Sequence, residues 1–206
     1  MQTFDYICRK ATPADSAAMI AKLIHLTDPY IYPTICKDPC DPVWIDLIGE
    51  CLKAPDNIFN IENISVVLFK DRIVGIACVI PCGKPLKFIE NIHLPESVRH
   101  KLQPSIAGYF TPLIAESMEF AGYNITNICV DKQHRGNGVG ALLMSYCLAT
   151  YGTKPIHLDV VAANEAAIHL YKRMGFFIEN EYLGFSGNEI DLACYHMLYL
   201  PQNAAQ

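Results

Sequence analysis

The sequence predicts a mixed α/β fold in a single domain, and three observations carry that expectation. Two β-branched runs, 64–69 and 72–80, flank Lys70-Asp71 in the pattern of an antiparallel hairpin. An apolar strand at 125–130 runs through a glycine-rich turn into helical periodicity. A second strand at 156–161 is followed by another helical stretch that Gly175 closes. At 206 residues with no polar linker, one domain is expected. Its core spans about 5–200, and 201–206 is a polar tail.

In order along the chain, residues 6–9 form a short strand. Thr12-Pro13-Ala14-Asp15 then reads as a helix start, with Thr as cap, Pro in the first turn and Asp at the positive end. Ile20, Leu23 and Ile24 mark that helix's apolar face. Residues 27–42 carry four prolines and two tyrosines, which predicts an ordered surface loop rather than a helix interior. Asp41-Pro42 opens a second helix, with Trp44, Leu47, Ile48 and Cys51 on one side. After the hairpin comes an elaborated segment, 83–123, that Pro95, Pro104 and Pro112 divide; a helix is expected over 112–120. Beyond the glycine turn, Val139, Leu142, Leu143, Tyr146 and Cys147 recur at helical spacing. Asn164 caps a helix carrying Ala167, Ile168, Tyr171 and Met174. Strands at 176–182 and 195–200 complete the sheet.

Composition excludes several function classes. A net charge of −5 with interspersed signs offers no cationic face for nucleic acid. The longest apolar stretch, 64–81, is broken by Lys70, Asp71 and Arg72, so no membrane span is expected. The N-terminus has no apolar signal region, so the nine cysteines read as reduced thiols in a cytoplasmic protein. Cys36 with Cys40 and Cys78 with Cys82 each have the spacing of half a zinc site. No second pair completes either, and no metal is expected.

The informative stretch is DKQHRGNGVGALLM, 131–144. A strand–glycine–helix junction turns unpaired amides outward and favours an anion, with phosphate the natural ligand. Glycines at 136, 138 and 140 admit positive φ and a bulky group near the backbone. A P-loop needs Gly-Lys-Ser/Thr, and Val139-Gly140-Ala141 stands there instead. A dinucleotide fingerprint fits formally from Gly136 to Ala141, with Asp159 at about the ~20-residue offset, which leaves an NAD-dependent oxidoreductase as one alternative. Against it, the polar run 131–135 separates strand from glycine, and too little chain follows for a doubly wound sheet.

Arg135-Gly136-Asn137-Gly138-Val139-Gly140 resembles the Gln/Arg-x-x-Gly-x-Gly/Ala signature of the Gcn5-related N-acetyltransferase (GNAT) superfamily, preceded by the apolar strand 127–130. The stretch LDVVAANEAAIHLYKRMGF, 158–176, is similar to that family's next strand and helix. The resemblance implies a mixed central sheet of about six to seven strands flanked by helices, whose fourth and fifth strands splay apart around acetyl-CoA. It places the pyrophosphate on Arg135, Gly136, Asn137, Gly138, Val139, Gly140 and Ala141, and the pantetheine arm on the backbone of Ile128, Cys129 and Val130. Asn164 joins these as a cofactor contact. Tyr171 takes the general-acid position, and Asp159 the strand position where some members carry a glutamate base. Each has a plainer reading as well: Tyr171 as a core aromatic, Asn164 as a helix cap, Asp159 as a structural carboxylate. His93, His134 and His196 are further titratable candidates.

The implied activity is transfer of acetyl from acetyl-CoA to a primary amine of a small molecule, peptide or protein by direct attack on the thioester, with no acyl-enzyme on Cys129. An alkylammonium of pKa ~10.4 must first lose a proton, at about 4.6 kcal/mol at pH 7. A non-catalytic acyl-CoA sensor is the other alternative. Tyr30, Tyr32, Trp44, Tyr109, Phe110 and 182–188 are candidates to line the acceptor pocket, and the chain is expected to be a monomer or homodimer.

Overall fold

The β-branched and aromatic runs assemble into one seven-stranded sheet, with helices on both faces. A computed structural model describes residues 5–30, 32–84, 86–87, 120–184 and 192–201. Among these the strands are β1 (Tyr6–Lys10), β2 (Ile64–Phe69), β3 (Arg72–Pro81), β4 (Tyr123–Val130), β5 (Ile156–Val161), β6 (Phe177–Gly184) and β7 (Leu192–Tyr199). The helices are α1 (Ala17–His25), α2 (Tyr32–Ile35), α3 (Pro42–Lys53), α4 (Val139–Tyr151) and α5 (Glu165–Arg173). None is long and apolar enough to cross a membrane. Segment 88–119, and with it His93, Tyr109, Phe110 and all but the last residue of the expected helix at 112–120, lies outside the described residues.

The strand order is β1-β2-β3-β4-β5-β7-β6, and every neighbouring pair is antiparallel except β4 with β5. A doubly wound dinucleotide fold instead alternates parallel strands through crossover helices. The parallel pair is short. Only Tyr123–Ile125 meets Ile156–Leu158, after which β4 and β5 part as the resemblance implied.

Local chemistry sets most boundaries. Lys70 and Asp71 both take positive φ, 49° and 60°, as a two-residue hairpin turn requires. Asp41 accepts from the Val43 amide and Pro42 opens α3. Gly175, at φ 92°, terminates the chain leaving α5. The first helix starts later than Thr12-Pro13 suggests. Asp15 is engaged by the Arg9 guanidinium at 2.7 Å and by the Thr12 amide and hydroxyl, so residues 12–15 close a turn and Ser16 caps α1. The Arg9 hydrogen bonds hold the Asp15 carboxyl at about 2. The proline-rich stretch 27–42 is less superficial than a surface loop: it contains α2, and Tyr32 is buried.

Two apolar clusters flank the sheet. On one face α1 and α3 bury Ile20, Leu23, Trp44, Leu47 and Ile48 against Val66, Ile76 and Cys129. On the other, α4 and α5 bury Val139, Leu143, Met144, Ile168 and Tyr171 against Val79, Leu158 and Met197. Truncating Trp44, wholly buried with its indole N–H on the Ala21 carbonyl at 2.8 Å, is a change that costs about 3–5 kcal/mol.

Candidate active site

Where β4 and β5 separate, the sheet exposes backbone that would otherwise pair. Asp131 donates its amide to Val74 at 2.8 Å, and in an antiparallel ladder the bonded positions alternate. Cys129, opposite Ile76, therefore turns its backbone to β3, while Ile128 and Val130 turn theirs into the gap. Of the three amides expected in the gap, two point there and the Cys129 amide does not. A register shift between Cys78 and Val79 sets this phase. The Cys129 side chain lies in the α1–α3 core, where burial raises its thiol to about 11 and leaves it protonated at neutral pH.

The glycine run divides into two tasks. Gly136 and Gly138 have φ of 78° and 81°, a region that L side chains enter at a cost of about 1–2 kcal/mol. Gly140 is helical, and a Cβ there would lie 3.1 Å from Leu170 Cδ2, so its bareness brings α4 close to α5. Ser16, Asp41 and Asn164 each place a side-chain oxygen on an amide at the start of α1, α3 and α5. Gly138 caps α4 without one. With the first helical bond running from Leu142 to Gly138, the amides of Val139, Gly140 and Ala141 are left for an anion. The Arg135 Nε–H donates to the Val130 carbonyl at 2.9 Å and pins the loop to the end of β4.

A cavity of about 600 Å³ runs along this turn. Ile128, Cys129, Val130, Arg135, Gly136, Gly138, Val139, Gly140, Ala141 and Asn164 all line it; Asn137 does not, and is exposed. His134, Arg135 and Arg173 make its lining basic, with no described carboxylate. Arg173 escaped the sequence reading, although a basic last turn of α5 in YKRMGF was its signal.

A second cavity, of about 440 Å³, opens on the other side of the gap. Asp28 and Asp159 line it, and no described lysine, arginine or histidine does. Tyr30 and Tyr32 line it; Trp44 does not, being sealed in the core because α3 turns its apolar stripe inward. Of 182–188, only Tyr182, Leu183 and Gly184 are described, on β6, and none lines this cavity. Its floor is organised by Asn127, whose Nδ2 donates to the hydroxyls of Thr27 (2.7 Å) and Tyr32 (2.9 Å).

The two cavities share Thr27, Ile128, Asn164 and Tyr171. Tyr171 is buried, which pushes its phenol up to about 12 and keeps it protonated across the neutral range. Its hydroxyl makes no hydrogen bond among the described residues, although its ring packs beside Phe176. Asn164 caps α5 by accepting from Ala167 at 3.3 Å. Asp159 lines the second cavity, and its Oδ1 accepts from His196 Nδ1 at 2.9 Å. His196 in turn meets His157, a partner that sequence spacing did not suggest.

Residues 103–176 match the family model described as Acetyltransferase (GNAT) family. The fold agrees over nearly the whole chain with an N-acetyltransferase from Staphylococcus aureus Mu50: 20% identity, 93% of this chain and 99% of that one covered, TM-score 0.71.

A GNAT-family segment lies within a chain that shares its fold with N-acetyltransferases.

Other likenesses agree with this match. Arabidopsis thaliana Naa50, solved with the bisubstrate analogue CoA-Ac-MVNAL, shares the fold at 19% identity, with 94% and 97% of the two chains covered and a TM-score of 0.53. An uncharacterized protein of Mycobacterium leprae is 43% identical over 54 residues, which is 26% of this chain and 15% of that protein's length. The family match over residues 103–176 and the shared fold support acetyl transfer as the general chemistry.

Proposed function

We propose that the chain is an acetyl-CoA-dependent N-acetyltransferase that passes acetyl directly to a primary amine. The observation that carries this reading is the meeting of a basic cavity and an acidic one at Tyr171. The basic cavity suits the phosphates of CoA, with pyrophosphate on the amides of Val139 to Ala141 and pantetheine along Ile128 and Val130. The acidic cavity suits an alkylammonium, and a bare amine fits its two carboxylates better than an acceptor carrying its own anionic group. Naa50 holds a CoA–peptide conjugate, and an equivalent conjugate in this cleft would run from the α4 terminus past Tyr171 toward Asp159.

In the reaction the amine nitrogen forms a bond to the thioester carbon, the C–S bond breaks, and sulfur leaves with its electron pair. A backbone N–H of β4 polarises the carbonyl oxygen as negative charge develops there. Asp159, directly or through water, takes the amine's proton. Tyr171 donates to the departing sulfur. A phenol at about 12 giving its proton outright to a thiolate of pKa ~8.5 is uphill by about 5 kcal/mol, so its main contribution is a hydrogen bond that strengthens as charge reaches the sulfur.

Titration with CoA and NAD separately, followed by an acceptor panel with acetyl-CoA, tests the reading. Saturable CoA binding and turnover with cationic amines are expected. Saturable NAD binding without CoA binding would overturn it, and CoA binding without transfer to any amine would leave a sensor.

A further inference from the structure

One buried polar cluster has no part in that reaction scheme beyond touching Asp159. His157 on β5 and His196 on β7 face each other, with His157 Nδ1 3.1 Å from His196 Nε2. The other nitrogen of each ring faces an oxygen that only accepts. His157 Nε2 lies 3.2 Å from the Ala121 carbonyl, and His196 Nδ1 lies 2.9 Å from the Asp159 carboxylate. Tautomers with the ring protons on those two nitrogens satisfy both oxygens. In those tautomers the facing nitrogens present lone pairs that a cation can take up, where otherwise one ring donates to the other. Glu179, on neighbouring β6, brings Oε2 to 3.7 Å from His196 Nε2, and the three ligand atoms lie within 4.8 Å of one another.

Charge and geometry choose between a proton and a metal ion. Asp159 and Glu179 bring two negative charges to the cluster, which a divalent ion balances and one proton does not. Both imidazoles are buried, and burial lowers the pKa of His157. Two zinc–nitrogen bonds of ~2.05 Å span 3.1 Å at an angle of about 98°, within the range of a distorted tetrahedron. A carbonyl on one ring and a carboxylate on the other are the orienting partners that metal-bound histidines use. Phe120 stacks on both rings, at 4.5 and 5.0 Å, and closes one side.

We propose that His157 Nδ1, His196 Nε2 and Glu179 Oε2 form a site for a divalent transition-metal ion of the zinc class, which ties β5, β7 and β6 together beside the acceptor cavity. A water completes the fourth position. The site stands independently of acetyl transfer.

The test is titration of the full chain, chelator-stripped and kept reduced, with Co²⁺ and then Zn²⁺. One Co²⁺ per chain with visible d–d bands, no thiolate charge-transfer band from the nine cysteines, and displacement by Zn²⁺ are expected. Glu179 is partly exposed, so Glu179→Gln preserves the fold; it should weaken Co²⁺ at least ~10-fold with CoA affinity unchanged. His196→Gln should abolish the d–d bands. Three results would each overturn the site: thiolate bands alone, Co²⁺ affinity unaffected by Glu179→Gln and His196→Gln, or ¹⁵N imidazole spectra showing a proton shared between the rings in the presence of Zn²⁺.

Discussion

The two cavities that meet at Tyr171 are built on opposite plans. The cofactor side is basic and comes largely from one continuous stretch, residues 128–141, completed by α5. The acceptor side is acidic and gathers residues from 27–32, β4 and β5. Backbone amides at a helix start recognise a phosphate almost regardless of neighbouring side chains, whereas an amine is recognised by side chains that tertiary packing must collect. The donor site is thus a local property of the chain and the acceptor site a global one.

Substitutions on either side test that division. The largest effect is expected at the shared waist: Tyr171→Phe should lower kcat about 100-fold and leave the CoA Kd unchanged. Because burial raises the phenol to about 12, the wild-type rate should show no alkaline loss at the ordinary tyrosine value near ~10; a limb there that vanishes in the variant would contradict the buried setting. On the acceptor side, Asp159→Asn should reduce kcat/KM for the amine roughly 30-fold, with the deficit shrinking as pH rises and the amine deprotonates itself. Unchanged pH dependence would reduce Asp159 to a structural partner of His196. On the cofactor side, Gly138→Ala should weaken CoA about 10-fold through backbone strain, because open space surrounds the added Cβ. Equal weakening of the amine's KM would break the division between the two cavities. The smallest effect belongs to Arg173→Ala, about fivefold on CoA affinity and erased by high salt, as measured by calorimetry.

The same division explains what was legible in the sequence. Strand and helix periodicities, the Lys70-Asp71 hairpin, and the caps at Asp41 and Asn164 are written within a few residues, and each appears in the fold. The Arg135–Ala141 turn was equally local, although Gly140's debt to Leu170 was visible only once α5 had docked. Which amides of β4 face the gap depends on a register irregularity with β3, so Cys129 was placed with Ile128 and Val130 when its backbone belongs to β3. Thr12-Pro13 carried good capping chemistry, but Arg9 claimed Asp15 and moved the helix start to Ser16. Trp44 was a candidate for both core and pocket, and only the docking of α3 decided. His157 and His196 stand 39 positions apart, and no spacing rule links them.

The parting of β4 and β5 after three residue pairs leaves a seam that no described residue closes. A ligand that completes the sheet there becomes part of what must be disassembled on unfolding. Free CoA at about 100 times its Kd would add about 2.7 kcal/mol to the folded state. The melting temperature of the chain, and its lifetime against proteases, should therefore rise and fall with the size of the CoA pool around it.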